Sequence, residues 1–173
     1  YAKKFKTKVY AFEPSFKNLD LLVKNIKLNL LEKEVSLIPN PLCDKSLIAN
    51  FFQLRSSGGD SVSTFNDEKT KKIFLSNKNP KNNNPVQYNI LGLSLDNLIE
   101  LNLIKPPDLI KLDVDGNEVE IINGFKKSIQ KIDKISMLIE TGTTTSKDNL
   151  EEELTNCGLK KINQFNVNSI WEK

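Results

Sequence analysis

Three short and almost wholly apolar segments constrain the fold of this chain more than any other feature. The segments KVYAF, DLIKLDV and SMLIE begin at Lys8, Asp108 and Ser136, and each precedes a stretch with helical spacing. Strands that are covered by helices on both faces have this kind of continuous apolar run. Their alternation with helices predicts an α/β fold with a mostly parallel sheet and helices on both of its faces.

The segments between these strands complete the predicted order of elements. Ser15 is expected to cap a helix over FKNLDLLVKNIKLNL, and EVEIINGFKKSIQKI predicts a second helix that Gly124 weakens locally. VQYNILGLS predicts a strand, whereas the region from Leu47 to Val86 is expected to be less regular. LKKINQFN and NSIWEK predict a C-terminal antiparallel strand pair. At 173 residues, the chain is expected to form a single domain over residues 1–173.

The absence of histidine limits the chemistry that this chain can perform. It excludes Ser-His-Asp and Cys-His nucleophilic catalysis and zinc sites of the histidine type. Carboxylates, Lys, Tyr, backbone groups or a cofactor must therefore carry any reaction. Cys43 and Cys157 belong to no metal or redox motif, so we expect free thiols and a reducing, cytoplasmic location.

Charge and hydropathy exclude two classes of partner. The net charge of +3 comes from lysines spread along the chain, without the interleaved aromatic residues that single-strand binders use. We therefore expect no nucleic-acid partner. No apolar run approaches the roughly 20 residues that a membrane span needs, so we expect no membrane span.

Acidic residues follow three of the predicted strands. These residues are Glu13, the pair Asp113 and Asp115, and Glu140. In open α/β sheets, ligands bind outside the carboxyl ends of the strands, which makes these acids candidate ligand contacts. Glu13 in VYAFEP fits the acid that accepts hydrogen bonds from ribose hydroxyls, although a surface glutamate beside a turn proline gives the same pattern.

The segment LDVDGNEVEIINGF allows several interpretations. Counted from Asp113, an EF-hand calcium loop needs glycine at position 6, but this chain has Glu118 there and its first glycine at position 4. A strand end fits better, with Gly116 allowing the exit and Glu118 in the first turn of a helix. Asp115 or Asn117 serving only as a helix cap remains the alternative.

Five segments together resemble the FkbM family of S-adenosylmethionine-dependent methyltransferases. They are KVYAFEPSFKNLDLLVKNIKLN, VSLIPNPLCDK, LSLDNLI, PPDLIKLDVDGNEVEIINGF and LIET, and the similarity covers Tyr1 to Thr141. The resemblance implies a Rossmann-like class I methyltransferase fold with S-adenosylmethionine as cofactor. The family's usual pattern has glutamate at Asp115, and its glycine-bearing first motif has no counterpart here. The domain is therefore expected to lack its first strand and glycine loop.

The resemblance also implies roles for individual residues. Glu13 matches the acid that holds the ribose of the cofactor, and the segment of Asn40, Pro41 and Leu42 matches the lining of the adenine. Asp113 matches the acid near the cofactor's methyl end and the acceptor. Further acids that match the family are Asp115, Glu118 and Glu140, of which Asp115 and Glu140 are expected to bind substrate.

The implied reaction is O-methylation of a hydroxyl on a small molecule or glycan. Because a sulfonium methyl group is already activated, the protein mainly has to position the acceptor and accept its proton. Asp113 or Glu118 is the expected base, with the other orienting the acceptor. A Mg²⁺ ion held by clustered carboxylates is the alternative to metal-independent transfer.

Two other functions remain open, as does a homo-oligomeric state. One is a truncated or degenerate domain that binds a partner or glycan without catalysis. The other is a nicotinamide-dependent oxidoreductase, because those enzymes also place an acid after the second strand. The loop from Ser56 to Pro85 is expected to shape the acceptor site.

Overall fold

The structure is a computed structural model that describes residues 1–54, 63–76, 85–140 and 147–173. The helices of this part of the chain are α1 (Ala2–Phe5), α2 (Phe16–Leu28), α3 (Glu68–Ser76), α4 (Leu95–Glu100), α5 (Glu118–Asn123), α6 (Lys126–Lys131) and α7 (Lys147–Asn156). The strands are β1 (Val9–Phe12), β2 (Val35–Ile38), β3 (Leu47–Gln53), β4 (Ser63–Phe65), β5 (Val86–Gly92), β6 (Leu109–Leu112), β7 (Ser136–Glu140), β8 (Lys160–Phe165) and β9 (Asn168–Glu172).

The strands form an α/β fold whose sheets are mixed, so the prediction of a mostly parallel sheet is wrong. β1 and β2 form a parallel pair, and β4, β3 and β5 form an antiparallel sheet in that order. In the third sheet, with order β6-β7-β9-β8, only β6 and β7 run parallel. Whether two strands pair parallel or antiparallel depends on the connection between them. A run of apolar residues does not determine this connection.

The C-terminal strand pair is confirmed, and so is the predicted cap at the start of α2. β8 and β9 pair antiparallel, as LKKINQFN and NSIWEK predict. The hydroxyl of Ser15 accepts a hydrogen bond from the backbone N of Asn18 at 3.4 Å and so caps α2. Both features depend on contacts between residues close in sequence, so they can be predicted without knowledge of the fold.

The region from Leu47 to Val86 is more regular than predicted. It contains β3, β4 and α3, and residues 55–62 and 77–84 lie outside the described part. Phe51 and Phe65 of β3 and β4 pack with Cys43 in a small apolar cluster. Burial of these aromatic side chains stabilises β3 and β4 through tertiary contacts. The local composition of the segment does not indicate such contacts.

The main core lies between the β6-β7-β9 strands and helices α4 to α7. Its most deeply buried residues include Phe125, Ile129, Ile139, Leu154 and Trp171. β1 and β6 are less covered than predicted, since all four residues of β1 are half-buried and Leu109 of β6 is exposed. Within the described residues, β1 pairs with β2 and β6 pairs with β7.

The predicted single helix over EVEIINGFKKSIQKI is divided into α5 and α6 at Gly124 and Phe125. The carbonyl of Gly124 accepts hydrogen bonds from the Ser94 hydroxyl at 2.9 Å and from the Asp96 backbone N at 2.8 Å. The Asp96 carboxylate in turn accepts from the backbone N of Lys127 and Ser128 at 3.1 and 2.8 Å. α4 therefore fixes the junction, and the Asp96 carboxylate satisfies amides that the start of α6 leaves unpaired.

None of the helices that the structure describes is long and apolar enough to cross a membrane.

Candidate functional site

A cavity of about 520 Å³ lies at the carboxyl ends of β1 and β6. This volume is within the range of small-molecule sites. Strand β4 and the segment after β2 complete its wall. The lining residues on which the following argument rests are Glu13, Asn18, Asn40, Pro41, Leu42, Ser63, Thr64, Phe65, Lys111, Asp113, Asp115 and Asn117. The acids that follow two predicted strands thus meet in one cavity.

Glu13 is held at this cavity by the start of α2. Its Oε1 accepts a hydrogen bond from the backbone N of Ser15 at 2.8 Å, and its Oε2 accepts from Nδ2 of Asn18 at 3.3 Å. Burial raises the pKa of Glu13, while the hydrogen bonds from Ser15 and Asn18 act in the opposite direction. A carboxylate has about four acceptor positions, so these two bonds leave capacity for ligand hydroxyls.

The segment from Asn40 to Leu42 lies along the cavity and is tied to β5 and the residue that follows it. Nδ2 of Asn40 donates to the backbone O of Leu91 at 2.8 Å. The backbone O of Pro41 accepts from the backbone N of Leu93 at 2.9 Å, and Leu42 forms a parallel bridge with Leu93. These contacts hold the apolar side chain of Leu42 at the cavity wall.

Asp113 faces the cavity together with a residue that sequence reasoning missed. The ammonium group of Lys111 forms an ion pair with Oδ2 of Asp113, and both side chains line the cavity and are partly exposed. In the sequence, Lys111 is a charged residue within the otherwise apolar segment LIKL. Its position two residues before Asp113 was the available signal, because residues i and i+2 of a strand point to the same side.

Asp115 and Asn117 face the cavity but bind strand β4. Oδ2 of Asp115 accepts from the backbone N of Ser63 at 3.3 Å. Asn117 occupies the N-cap position of α5, yet its side chain makes no cap hydrogen bond and instead bonds to Thr64 and Phe65. The helix-cap alternative therefore does not describe the contacts of Asn117.

Glu118 and Glu140 are not among the residues that line the cavity. Glu118 has an exposed fraction of 0% and its Oε1 accepts from the backbone N of Gly116 at 3.4 Å. Glu140 ends β7 and pairs with Asn168 of β9. The structure brings together Glu13, Asp113 and Asp115 but not these two predicted site residues.

Three further residues of the wall come from a region that the sequence describes poorly. Ser63, Thr64 and Phe65 are the whole of β4, and all three line the cavity. They fall within the loop from Ser56 to Pro85 that was expected to shape the acceptor site. The sequence carries no signal for the individual residues, because long-range contacts with β3, Asp115 and Asn117 place β4 at the cavity.

Among the described residues, no group of three or more Cys, Asp or Glu side chains is arranged to hold a metal ion. The magnesium alternative remains a prediction.

The Methyltransferase FkbM domain family matches residues 1–160, and the chain belongs to this family. A curated relative is the hexuronic acid methyltransferase AglP of Haloferax volcanii, 25% identical over 137 residues. That alignment covers 79% of this chain and 49% of AglP, so the chain spans about half the length of this relative.

The fold is similar to the crystal structure of methyltransferase FkbM from Methylobacillus flagellatus. The TM-score is 0.57 with 13% sequence identity, over 96% of this chain and 36% of the FkbM chain. Family membership and the fold are thus established by separate comparisons.

Proposed function

We propose that this chain binds S-adenosylmethionine in the cavity and transfers its methyl group to a hydroxyl of a sugar acid or a similar polar acceptor. One observation carries the proposal: Glu13 and Asp113 line the same cavity although they follow strands of different sheets. Membership of the FkbM methyltransferase family supports the reaction class.

The residues of the cavity fit the adenosine part of the cofactor. Glu13 offers carboxylate acceptors to a pair of ribose hydroxyls, and Leu42 and Ile121 offer apolar surface to a base. The cavity volume of about 520 Å³ is adequate for a ligand of this size. When bound, the cofactor supplies an already activated methyl group.

The residues of this chain then have to orient the acceptor and accept its proton. Of the two expected bases, we retain Asp113, because Glu118 is fully buried and outside the cavity lining. The Lys111 ammonium contacts Oδ2 of Asp113 and restrains the carboxylate. Asp113 can accept the hydroxyl proton on a carboxylate oxygen as the oxygen–methyl bond forms.

The acceptor class rests on the curated relative and on the polarity of the wall. AglP is named for a hexuronic acid, which carries several hydroxyls. Ser63, Thr64 and Asp115 place polar groups along the part of the cavity formed by β4 and the segment after β6. A hydroxylated acceptor finds hydrogen-bond partners on such a wall.

Calorimetric titration of the intact protein with S-adenosylmethionine and with NAD tests the proposal. We expect saturable heat with S-adenosylmethionine and none with NAD. Glu13→Gln is expected to weaken the affinity about tenfold, because a carboxylate accepts stronger hydrogen bonds than an amide. Glu32→Gln, at an exposed glutamate, is the matched control. Absence of heat with S-adenosylmethionine would refute the proposal.

The non-catalytic alternative also has an observation in its favour. Among the described residues, no glycine lines the cavity, so no glycine loop contributes to it there. Binding of S-adenosylmethionine without methyl transfer to any hydroxylated acceptor would favour that alternative.

A further inference from the structure

Strand β4, which lines the cavity, is the shortest of the strands that the structure describes. It has three residues, and on one edge it pairs antiparallel with β3 through Phe51, Phe52 and Gln53. Among the described residues, no strand pairs with its other edge. A three-residue strand has few ladder hydrogen bonds, so its position depends on what binds this second edge.

Two side chains after β6 bind that second edge. Oδ1 of Asn117 accepts from the backbone N of Phe65 at 3.0 Å, and Nδ2 of Asn117 donates to the backbone O of Phe65 at 3.0 Å. The amide group thus offers one acceptor and one donor to one residue, as a neighbouring strand does. Two residues earlier on each segment, Asp115 accepts from the backbone N of Ser63.

The contacts that Asn117 makes with β4 are buried. Asn117, Thr64 and Phe65 have exposed fractions of 8%, 4% and 3%. The Thr64 hydroxyl donates to the same Oδ1 of Asn117 at 3.1 Å. Water cannot readily replace a lost partner at such a position, so loss of the amide leaves buried groups of β4 unpaired.

The segment that carries Asn117 also carries Asp113. Gly116, with φ of 109°, turns the chain between them. We propose that Asn117 is a positioning residue that holds β4 against the cavity and thereby sets the distance between the β4 residues of the cavity wall and Asp113. The sugar-acid acceptor of the proposed function is the molecule that this arrangement positions, and this part of the inference rests on that function.

We call the two hydrogen bonds between the Asn117 amide and the backbone of Phe65 the clamp. Amide hydrogen exchange tests it without any substrate. Asn117→Asp keeps the acceptor but sets a carboxylate oxygen against the backbone O of Phe65. At neutral pH, we expect exchange of the Phe65 amide to accelerate about ten- to hundredfold, while Ile139 in the core stays protected. Asn123→Asp, exposed on the same helix, is the matched control and should leave the Phe65 amide unchanged.

A pH profile separates this specific role from a general loss of structure. A protonated aspartic acid again offers one donor and one acceptor. In Asn117→Asp, protection of the Phe65 amide, corrected for the intrinsic exchange rate, should therefore recover as pH falls below the pKa of the new carboxyl. Unchanged exchange at Phe65 at neutral pH, or no recovery at low pH, would overturn the clamp.

Turnover tests the effect on the acceptor, with glucuronic acid as the probe and release of S-adenosylhomocysteine as the signal. In Asn117→Asp at neutral pH, we expect KM for glucuronic acid to rise about tenfold and the Kd of S-adenosylmethionine to stay within about threefold. Similar increases in KM for glucuronic acid and in the Kd of S-adenosylmethionine would overturn the positioning role. If wild-type protein methylates no glucuronic acid, the proposed acceptor fails, and the exchange measurements still decide the clamp.

Discussion

At the scale of single residues, Lys111 and Asp113 are the charged pair on which the proposed chemistry of the cavity depends. They lie two positions apart where β6 ends, and their charged groups form an ion pair at the cavity wall. Both side chains remain partly exposed, so the pair contributes little to stability and is available to a ligand.

Asp113→Asn is expected to lower the turnover of methyl transfer by about 10²- to 10⁴-fold, because an amide cannot accept the hydroxyl proton. The affinity for S-adenosylmethionine should stay within about threefold. Steady-state turnover and calorimetry measure the two effects. Asp108→Asn, exposed before β6, is the control. Unchanged turnover would remove Asp113 from the mechanism.

Glu13 is expected to make stability and the proposed cofactor binding depend on pH. Burial raises the pKa of Glu13 above its ordinary value. A raised folded-state pKa means that its contribution to stability is fully present below the unfolded-state pKa and is lost as pH rises through the folded-state pKa. The proposed cofactor binding is expected to have the opposite pH dependence, because the ionised carboxylate is the stronger acceptor of ribose hydrogen bonds.

We therefore expect the affinity for S-adenosylmethionine to fall as pH decreases through the raised pKa of Glu13. Calorimetric titration across acidic to neutral pH measures this fall. In Glu13→Gln the same fall should be absent. An identical pH profile in both proteins would exclude Glu13 as its source.

At the scale of elements, the junction between α5 and α6 depends on close backbone approach. A Cβ added at Gly124 would lie 2.0 Å from the backbone O of Cys43. The φ of Gly124 is −75°, which other residues adopt, so the constraint is space rather than torsion.

Gly124→Ala is expected to lower the free energy of unfolding by about 1–3 kcal/mol, because the backbone near Cys43 must move to accept the methyl group. Asn123→Ala, exposed on α5, should change it by no more than about 0.5 kcal/mol. Urea denaturation measures both. Equal free energies of unfolding for the two variants would contradict this prediction, because the backbone at Cys43 would then accommodate the methyl group without cost.

The sequence predicted elements well where the signal is local and poorly where it depends on the fold. Ser15 caps α2 because its partner is three residues away. The partners of Asn117 are more than fifty residues away, so its sequence position suggested only a helix cap. Glu118 follows a strand-end motif in sequence, but α5 turns its side chain into the protein.

At the scale of the whole molecule, the sequence predicted the α/β class and the cavity at the strand ends but not the sheet directions. β3 and β5 pair antiparallel, in a region where only β5 was predicted as a strand. The cavity is nevertheless formed where expected, because the carboxyl ends of β1 and β6 both face it. The family match over residues 1–160 includes β1, β6 and the other residues that line the cavity.

A crystal structure of the intact protein with S-adenosylhomocysteine tests the central claim most directly. The account predicts ligand density in the cavity, with the ribose hydroxyls about 2.6–3.2 Å from the Glu13 carboxylate and the sulfur facing Asp113. Ligand density outside this cavity, or a cavity without ligand at saturating concentration, would contradict it.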